Sequence, residues 1–386
     1  MTAGPGPAGG LFIGLMSGTS LDGVDGVLVA FEPGADRALE VRAHAHRPFT
    51  AGLRAELMAL NTPGGADELH RAALAANALA RVQAEVVQAL RPPGAAAAIA
   101  AIGSHGQTVR HRPREFDGTG YTLQLNNPAL LAELTGCTVV ADFRPRDVAA
   151  GGQGAPLVPA FHARVFGLPG HPRALLNLGG IANLTLLPAA DDPAGVVRGF
   201  DCGPANALLD HWVQRQRGPA FDADGAWAAT GQVQPALLAR LCAEPFLHQP
   251  PPKSTGRDLF HAGWLDAHLH AHLAAHGSLR PEDVQATLAE FTVVAAADAL
   301  RAHAPGVPEL LVCGGGALNA HLMQRLAVAL PGVAVRSTAE AGLPPLQVEA
   351  AAFAWLARAC LAGEPGNLPA VTGARGMRVL GAVHPA

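Results

Sequence analysis

The stretch "GLMSGTSLDGVDGVLVAF", residues 14–31, places a glycine-rich turn between two apolar runs. The alternation of apolar residues on either side predicts a β-hairpin. Gly18 and Gly23 have the spacing of a P-loop, but Val and Asp follow them in place of Lys and Ser or Thr, and a strand follows in place of a helix. Bare backbone N–H groups and the hydroxyls of Thr19 and Ser20 can instead approach a phosphate closely. The alternative is an ordinary glycine-rich hairpin without a ligand.

A second stretch, "ALLNLGGIANLTLLP" (residues 174–188), repeats this design of apolar strand, glycine pair, polar turn and apolar strand. The duplication predicts two α/β halves whose hairpins face each other and hold a phosphate chain across a cleft. A third glycine cluster lies in "PELLVCGGGALNAHLMQRLAVALPGVAVRS" (residues 308–337), which has the strand–helix–strand pattern of a βαβ unit. Its glycines would let the backbone pass close to a base or ribose. The alternative is a dinucleotide fold, although Asn319 replaces the third glycine of that fingerprint.

Composition narrows the class of protein. The chain has 386 residues, 49% of them hydrophobic, which is enough for a large core in two or three domains. The net charge is −4 and there is no run of Lys or Arg, so no basic surface for nucleic acid or an anionic membrane is expected. No signal peptide or membrane-spanning segment is predicted, and we expect a cytoplasmic protein. Five widely separated cysteines without a C-x-x-C pair predict reduced thiols.

The chain divides in an irregular stretch, "FRPRDVAAGGQGAPLVP", which follows a short apolar strand. The sequence therefore predicts a flexible tail at residues 1–10, an N-terminal lobe at residues 11–148 and a C-terminal lobe at residues 149–386, with the final helix able to return to the first lobe. Helical apolar spacing between residues 51 and 90, interrupted at "NTPGG", predicts two helices.

The order hairpin, hairpin, strand–GGG–helix resembles that of the actin-like ATPase superfamily. Six motifs, "MSGTSLDGVD", "GSHGQT", "NLGGIANLT", "FDCGPANALLD", "PPPKSTGRDLF" and "GGGALN", together resemble the anhydro-N-acetylmuramic acid kinases over residues 14–361. The resemblance implies a two-domain α/β fold of the actin-like ATPase type, with ribonuclease H-like halves and the active site in the cleft between the domains.

The same resemblance implies an activity. ATP and water would convert 1,6-anhydro-N-acetylmuramic acid to N-acetylmuramic acid 6-phosphate in the recycling of peptidoglycan, with Mg²⁺ as cofactor and a homodimer as the assembly. The alternatives are a kinase of another 1,6-anhydro sugar and a non-sugar actin-like ATPase. Dependence of ADP release on the anhydro sugar would separate a kinase from an ATPase.

Site residues follow from the resemblance, position by position. Asp201 in "GFDCGPAN" matches the general base that deprotonates water; its alternative role is to cap the helix that follows. Glu349 and His105 match substrate-side positions, although a first-turn glutamate favoured by the helix dipole and a packed histidine are the respective alternatives. The expected nucleotide contacts are Gly18, Thr19, Ser20, Leu21, Asp22, Gly23, Val24, Asp25, Gly179, Gly180, Gly314, Gly315, Gly316 and Asn319.

Two assignments remain open in the sequence. Many sugar kinases have an aspartate where this chain has Met16, so no magnesium ligand is assigned, although Asp22 or Asp25 could reach the ion through water. Arg144 and Arg146 could meet the lactyl carboxylate by charge-assisted hydrogen bonds, or they could be ordinary surface arginines.

Overall fold

The structure is a computed structural model that describes residues 9–18, 20–32, 39–91, 99–256 and 259–386. It consists of two compact units, which we call unit 1 (Met1–Phe166 with Gln347–Ala386) and unit 2 (Gly167–Leu346). The chain enters unit 2 after Phe166 and not after residue 148, and its last forty residues belong to unit 1. Most of the predicted tail, residues 1–8, lies outside the described residues.

The elements follow in chain order. The first part of unit 1 contains the strands β1 (Gly10–Met16), β2 (Gly23–Phe31), β3 (Leu39–Pro48), β4 (Ile99–Ser104), β5 (Gln107–Pro113), β6 (Gly120–Leu125) and β7 (Val139–Ala141). Its helices are α1 (Ala51–Leu60), α2 (Glu68–Leu90), α3 (Pro128–Thr135), α4 (Pro145–Ala149) and α5 (Val158–Phe166). The two helices predicted between residues 51 and 90 are confirmed as α1 and α2.

Unit 2 contains the strands β8 (Arg173–Leu178), β9 (Ile181–Leu187), β10 (Arg198–Pro204), β11 (Glu309–Cys313) and β12 (Ala334–Ser337). Its helices are α6 (Asn206–Arg217), α7 (Pro235–Cys242), α8 (Ala262–His276), α9 (Pro281–His303) and α10 (Ala320–Ala329). The chain then returns to unit 1 with α11 (Val348–Leu361), α12 (Pro369–Thr372) and β13 (Ala382–His384).

The two main sheets share the connectivity of five strands, and the sheet of unit 1 has β13 as an additional antiparallel edge strand. Within the described residues, their orders are β13-β7-β4-β1-β2-β3 and β10-β9-β8-β11-β12. Each begins with an antiparallel meander, β1-β2-β3 or β8-β9-β10, and two parallel strands then extend the sheet beyond the first strand. This repeated topology confirms the duplication of the two glycine-rich hairpins and the prediction of ribonuclease H-like halves.

Helix α11 lies directly on the sheet of unit 1 because two glycines let its backbone come close. A Cβ atom on Gly14 in β1 would lie 1.8 Å from the carbonyl oxygen of Ala350, and one on Gly103 in β4 would lie 2.0 Å from that of Phe353. Ala350 and Phe353 are themselves almost fully buried. This contact fixes the first turn of α11, which carries Glu349, beside β1.

The stretch predicted to separate the domains is instead tied into unit 1 by Asp147, which is fully buried. Its Oδ1 accepts hydrogen bonds from Asn367 Nδ2 (2.6 Å) and Thr372 Oγ1 (2.8 Å), and its Oδ2 accepts one from the backbone N–H of Gly154 (2.8 Å). Glycines and prolines made this stretch resemble a linker. Two of its three partners, Asn367 and Thr372, stand more than two hundred residues later in the chain, where local sequence patterns cannot reveal them.

Two further expectations concern the cysteines and the membrane. All five cysteines are free, as predicted for reduced thiols. Among the described residues, no helix combines the length and the apolar character needed to cross a bilayer.

Candidate functional site

The first glycine-rich turn, which joins β1 to β2, is supported from within unit 1. Ser17 Oγ donates a hydrogen bond to Gln107 Oε1, and Gln107 Nε2 donates one to the carbonyl oxygen of Gly18 at 3.2 Å. Gln107 is buried, so the turn rests on a fixed side chain. Sequence reasoning missed this role of Gln107, although the residue lies in the quoted "GSHGQT" motif. Thr19, a predicted nucleotide contact in this turn, lies outside the described residues.

The glycines of this hairpin differ in their surroundings. Cβ atoms on Gly23 and Gly26 would lie 2.2 Å from Arg47 O and 2.4 Å from Val86 Cγ1, as crowded as at Gly14. At Gly18 the nearest atom would be 3.8 Å away, which is an ordinary van der Waals distance. Packing therefore requires three of the four glycines, and Gly18 is the one with room for a ligand.

The other predicted contacts in this hairpin also fall into two groups. Leu21 and Val24 are buried in the core of unit 1, so only their backbone atoms could meet a nucleotide. Asp22 is exposed and accepts a 2.7 Å hydrogen bond from Ser20 Oγ. Asp25 is half-buried, and its Oδ1 lies 3.2 Å from a ring nitrogen of both His44 and His46. Polar side chains of this turn thus remain accessible while its apolar ones anchor it.

A cluster of ionisable groups lies behind the turn in unit 1. His105 is buried and packs against the ring of Phe353, and its Nε2 accepts a hydrogen bond from Arg144 Nε at 3.0 Å. Burial, followed by the charge of Arg144, lowers the pKa of His105 to about 3. Since its Nε2 is an acceptor, His105 is a neutral group that orients Arg144. It is therefore packed, as one alternative proposed, and it is also part of a charged cluster.

Glu349 belongs to the same cluster. Burial raises the pKa of its carboxyl, the charge of Arg144 lowers it, and the charge of Asp25 raises it again. The carboxyl is therefore easier to protonate than that of an ordinary surface glutamate. Glu349 does stand in the first turn of α11, but its surroundings give it more than an interaction with the helix dipole.

Arg144 is not an ordinary surface arginine, and that interpretation is wrong. It is partly buried, and besides its contact with His105 it donates a 2.8 Å hydrogen bond to the carbonyl oxygen of Gly154. Arg146 is exposed, in agreement with the surface interpretation. Sequence alone could not separate the two, because both follow the same short strand.

Asp201 lies on β10 in unit 2, where its carboxylate is fixed at both oxygens. Asn183 Nδ2 donates to Oδ1 at 2.8 Å, and the backbone N–H of Thr255 donates to Oδ2 at 2.8 Å. Asn183 faces Asp201 across the β9–β10 pair, next to an irregularity in the register. The side chain remains partly exposed. Hydrogen bonds of this kind favour the ionised carboxylate.

The alternative role of Asp201, capping the next helix, is wrong. Helix α6 begins at Asn206 with Ala205 at its N-cap, and no side chain caps it. The orphan N–H groups at this end instead donate to the second glycine-rich turn: Ala205 and Ala207 to Gly180 O, and Asn206 to Gly179 O.

The loop that follows α7 holds Asp201 from the other side. The backbone N–H of Asp201 donates to Lys253 O at 3.1 Å. Lys253 is buried, and its Nζ donates to the carbonyl oxygens of Phe246 and Leu247. Burial lowers the pKa of Lys253, whereas its interactions with Cys202 and Asp201 raise it. Lys253 stands in the quoted "PPPKSTGRDLF" motif, but sequence reasoning did not assign it; Arg257 and Asp258 of that motif lie outside the described residues.

The second and third glycine elements meet at Leu178, the last residue of β8. Cβ atoms on Gly314 and Gly316 would lie 2.8 Å from Leu178 C and 2.4 Å from Leu178 Cβ. A Cβ atom on Gly179 would have its nearest neighbour at 3.7 Å, and one on Gly315 at 3.6 Å. As in the first hairpin, the third element therefore combines glycines that packing requires with one that leaves space beside the backbone, and Gly179 leaves such space in the second.

Asn319 has a structural role in the third element. It is the N-cap of α10, where its Oδ1 accepts a hydrogen bond from the backbone N–H of Leu322 at 3.0 Å. The predicted βαβ unit itself is confirmed, since β11 and β12 are parallel and α10 connects them. The nucleotide contact predicted for Asn319 stays a prediction.

We expect Gly315→Val to weaken ATP binding without loss of stability. The exposed Gly315 has space for a side chain, which would then occupy the room beside the backbone. The KM for ATP should rise by about tenfold, equivalent to ~1.4 kcal/mol of lost binding, and the Tm should remain near that of the wild type. In the control Gly316→Ala, the new Cβ would strike Leu178, so stability should fall by about 1–3 kcal/mol. An unchanged KM in Gly315→Val would exclude Gly315 as a nucleotide contact.

The carboxylates of the first hairpin fit the magnesium ion that the family resemblance implies. Among the described residues, no group of three or more His, Cys, Asp and Glu side chains is arranged to hold a metal. A nucleotide-bound Mg²⁺ needs fewer protein ligands, because phosphate oxygens and water complete its shell. Asp22 and Asp25 offer accessible carboxylate oxygens, which are the ligand type that Mg²⁺ prefers.

The geometry agrees with what comparison with known proteins finds. The family model described as anhydro-N-acetylmuramic acid kinase matches residues 10–386. An anhydro-N-acetylmuramic acid kinase of Variovorax paradoxus is 64% identical over 98% of this chain and 100% of the relative. One of Albidiferax ferrireducens is 58% identical over 97% of this chain and 99% of the relative.

Likeness to solved structures is weaker. The activator of the 2-hydroxyisocaproyl-CoA dehydratase from Clostridium difficile, with bound ADPNP, is 12% identical and has a TM-score of 0.45, with 91% of this chain and 95% of that chain covered. The family model and the two anhydro-N-acetylmuramic acid kinases match nearly the whole sequence. The chain therefore belongs to the anhydro-N-acetylmuramic acid kinase family.

Proposed function

We propose that the chain uses ATP and water to convert 1,6-anhydro-N-acetylmuramic acid to N-acetylmuramic acid 6-phosphate, for the recycling of cell-wall peptidoglycan. Membership of the family supports the substrate and the reaction. The observation that carries the mechanism is the carboxylate of Asp201, which is partly exposed and fixed at both oxygens by Asn183 and Thr255.

The proposed reaction makes and breaks two bonds to oxygen. Asp201 takes a proton from water, whose oxygen attacks the anomeric carbon while the bond from that carbon to O6 breaks. The released O6 accepts the γ-phosphoryl group of ATP, and ADP leaves. The proton held by Asp201 is then lost to solvent, so the products are the 6-phosphate, ADP and one proton.

Asp201 suits the role of general base because it is oriented without being enclosed. Two donors hold its oxygens, and the loop around the buried Lys253 fixes its backbone. Hydrogen bonds to both oxygens favour the ionised carboxylate over the acid, and the ionised form is the one that a general base needs. The single proton transfer assigned to it is of the kind that contributes about 10²- to 10⁴-fold to rate.

The cluster of Glu349, His105 and Arg144 in unit 1 is proposed to bind the sugar. The neutral ring of His105 holds the Arg144 guanidinium, which can form charge-assisted hydrogen bonds with a carboxylate such as the lactyl group. The carboxyl oxygens of Glu349 can accept hydrogen bonds from sugar hydroxyls.

The glycines with open surroundings are proposed to approach the nucleotide. These are Gly18 in unit 1 and Gly179 and Gly315 in unit 2. Their bare backbone N–H groups suit phosphate oxygens, and Asp22 and Asp25 would hold the magnesium ion directly or through water. That ion, when bound, neutralises charge on the phosphates. A homodimer, which the family resemblance implies, and a cytoplasmic location, which the sequence led us to expect, are further proposals.

Labelled water tests this function. In ¹⁸O water with ATP and the anhydro sugar, the label should appear in the sugar product at the anomeric carbon and not in its phosphate. A short reaction time and a control with unlabelled product in the same water correct for exchange at that carbon. Release of ADP without sugar, with the label in inorganic phosphate, would support a plain ATPase. Equal turnover of levoglucosan would favour a broader anhydro-sugar kinase.

A further inference from the structure

We propose that unit 2 carries a second binding site, a pocket for a small organic anion with an apolar body. The pocket is a cavity of about 400 Å³, within the range of about 300–1,000 Å³ that is usual for small-molecule sites. Its wall is mostly apolar, with Leu186, Leu187 and Val196 among its side chains, and it includes Arg173, Arg198 and His303.

The pocket is separate from the nucleotide elements of the same unit. Its walls come from the first residues of β8 and β10, the last residues of β9 and the turn between α9 and β11. Gly179 and Gly314 follow the opposite ends of β8 and β11. Six residues of β8 separate the two edges, a distance of roughly 20 Å at about 3.3 Å per residue. An occupant here would therefore leave the glycine turns free.

Two arginines point to an anion as the occupant, because the cavity is lined by two guanidinium groups and only one carboxylate of the described residues pairs with them. Arg173 is 8% exposed, and one of its terminal nitrogens lies 2.8 Å from Glu309 Oε2. Arg198 adds a second guanidinium, and its side chain bonds a backbone carbonyl oxygen, that of His303, at 2.6 Å.

The charges around the pocket leave it positive. The carboxylate of Glu309 offsets the charge of Arg173. Among the described residues, the side chain of Arg198 bonds the uncharged carbonyl of His303, which leaves its charge uncompensated. Burial, followed by the charges of Arg198 and Lys253, lowers the pKa of His303, so its ring is neutral at pH 7. The site therefore favours an occupant with one negative charge.

The aspartates of the loop between β9 and β10 do not line the cavity. Asp191 Oδ1 accepts the backbone N–H of Gly170 at 2.6 Å, and Asp192 Oδ1 accepts that of Ala194 at 2.9 Å. His171 Nε2 lies 3.6 Å from Glu309 Oε2.

The remaining walls define the rest of the ligand. Leucine, proline, valine and alanine side chains make up most of the lining, which favours an apolar body. Guanidinium groups bind carboxylates and phosphates through paired N–H donors. A monocarboxylate carrying a short aliphatic chain or one ring combines both properties.

Binding of phenylacetate and hexanoate to the full chain, without ATP or sugar, tests the proposal. Isothermal titration or ligand-observed NMR should show saturable binding of both acids, and the neutral phenylacetamide and hexanamide should bind at least about tenfold more weakly, since they lack the charge-assisted bond. Failure of both acids to bind, or equal binding of acids and amides, would overturn the proposal.

Variants place the probe in this pocket. Arg198→Gln, at an exposed position, should weaken the binding of both acids by about tenfold. Val196→Asp, in the lining of the cavity, should also weaken their binding. The control Arg336→Gln removes a charge from exposed β12 and should leave their binding unchanged. Wild-type affinity in both Arg198→Gln and Val196→Asp would contradict the assignment.

Competition separates this site from the kinase reaction. Saturating anhydro sugar with a non-hydrolysable ATP analogue should leave the binding of phenylacetate unchanged. Displacement would place the probe in the sugar site and overturn the proposal. Because the titration needs no turnover, its result is independent of the labelled-water experiment.

Discussion

Replacing Asp201 by asparagine is expected to lower kcat by roughly a thousandfold, within the range for loss of a general base. The amide has the shape of the carboxylate but cannot take a proton from water. Its NH₂ group would also face one of the two donors that now serve the carboxylate, Asn183 Nδ2 or the N–H of Thr255. ATP and sugar affinities should change much less than kcat, because Asp201 acts on water.

Steady-state kinetics and equilibrium binding of both substrates measure this separation. Asp298→Asn is a suitable control, since Asp298 is an exposed carboxylate of unit 2 that pairs with Arg301. The control should keep wild-type kcat. Near-normal turnover in Asp201→Asn would remove Asp201 from the proposed role, and a loss of folding, seen as a lowered Tm, would reveal a structural role instead.

Replacing Gly14 by alanine is expected to destabilise the protein by about 3 kcal/mol, at the upper end of typical overpacking costs. The new Cβ would lie 1.8 Å from the carbonyl oxygen of Ala350 and 2.6 Å from the backbone nitrogen of Ala354. Backbone atoms cannot turn aside as a flexible side chain can, so α11 must shift away from β1. Because Glu349 precedes Ala350, the KM for the sugar should rise as well.

Urea denaturation of Gly14→Ala and of a matched Gly18→Ala variant tests this expectation. Gly18 has no neighbour closer than 3.8 Å to a new Cβ, so Gly18→Ala should unfold at the wild-type urea concentration. Equal stability of the two variants would contradict the close contact between α11 and β1.

Sequence patterns predicted the features that depend on near neighbours. Both glycine-rich hairpins and the late βαβ unit could be recognised because strand alternation and turn residues act over a few positions. Asp201 was assigned through a motif, and its surroundings agree with an oriented base. The partners that orient it, Asn183 and Thr255, come from a neighbouring strand and a distant loop, so no local pattern reveals them.

The reasons for individual glycines could not be predicted. In the sequence, Gly14, Gly18, Gly23 and Gly26 form one glycine-rich stretch that indicates a phosphate site. In the structure only Gly18 has open surroundings, and the other three make way for a helix backbone, a neighbouring strand and a valine. A glycine needed by a distant segment looks the same in sequence as one needed by a ligand.

The stretch in which we predicted the domain boundary shows the same limit of local patterns. Residues 143–159 have the composition of a linker, yet Asp147 within them is fully buried by contacts from the last part of the chain. Arg144 was likewise underrated, because its partner His105 precedes it by a strand, a hairpin and a helix. Burial of polar residues by remote partners leaves no periodic signal.

The return of the chain to unit 1 affects the order of events during synthesis. Unit 2 is continuous in sequence, so all its residues leave the ribosome before α11 does. Until then, the face of the first sheet at Gly14 and Gly103, on which α11 packs in the folded protein, has no helix to cover it. The N-terminal part of unit 1 therefore remains incompletely folded while the whole of unit 2 is translated. During this interval the uncovered face of its sheet is accessible to chaperones.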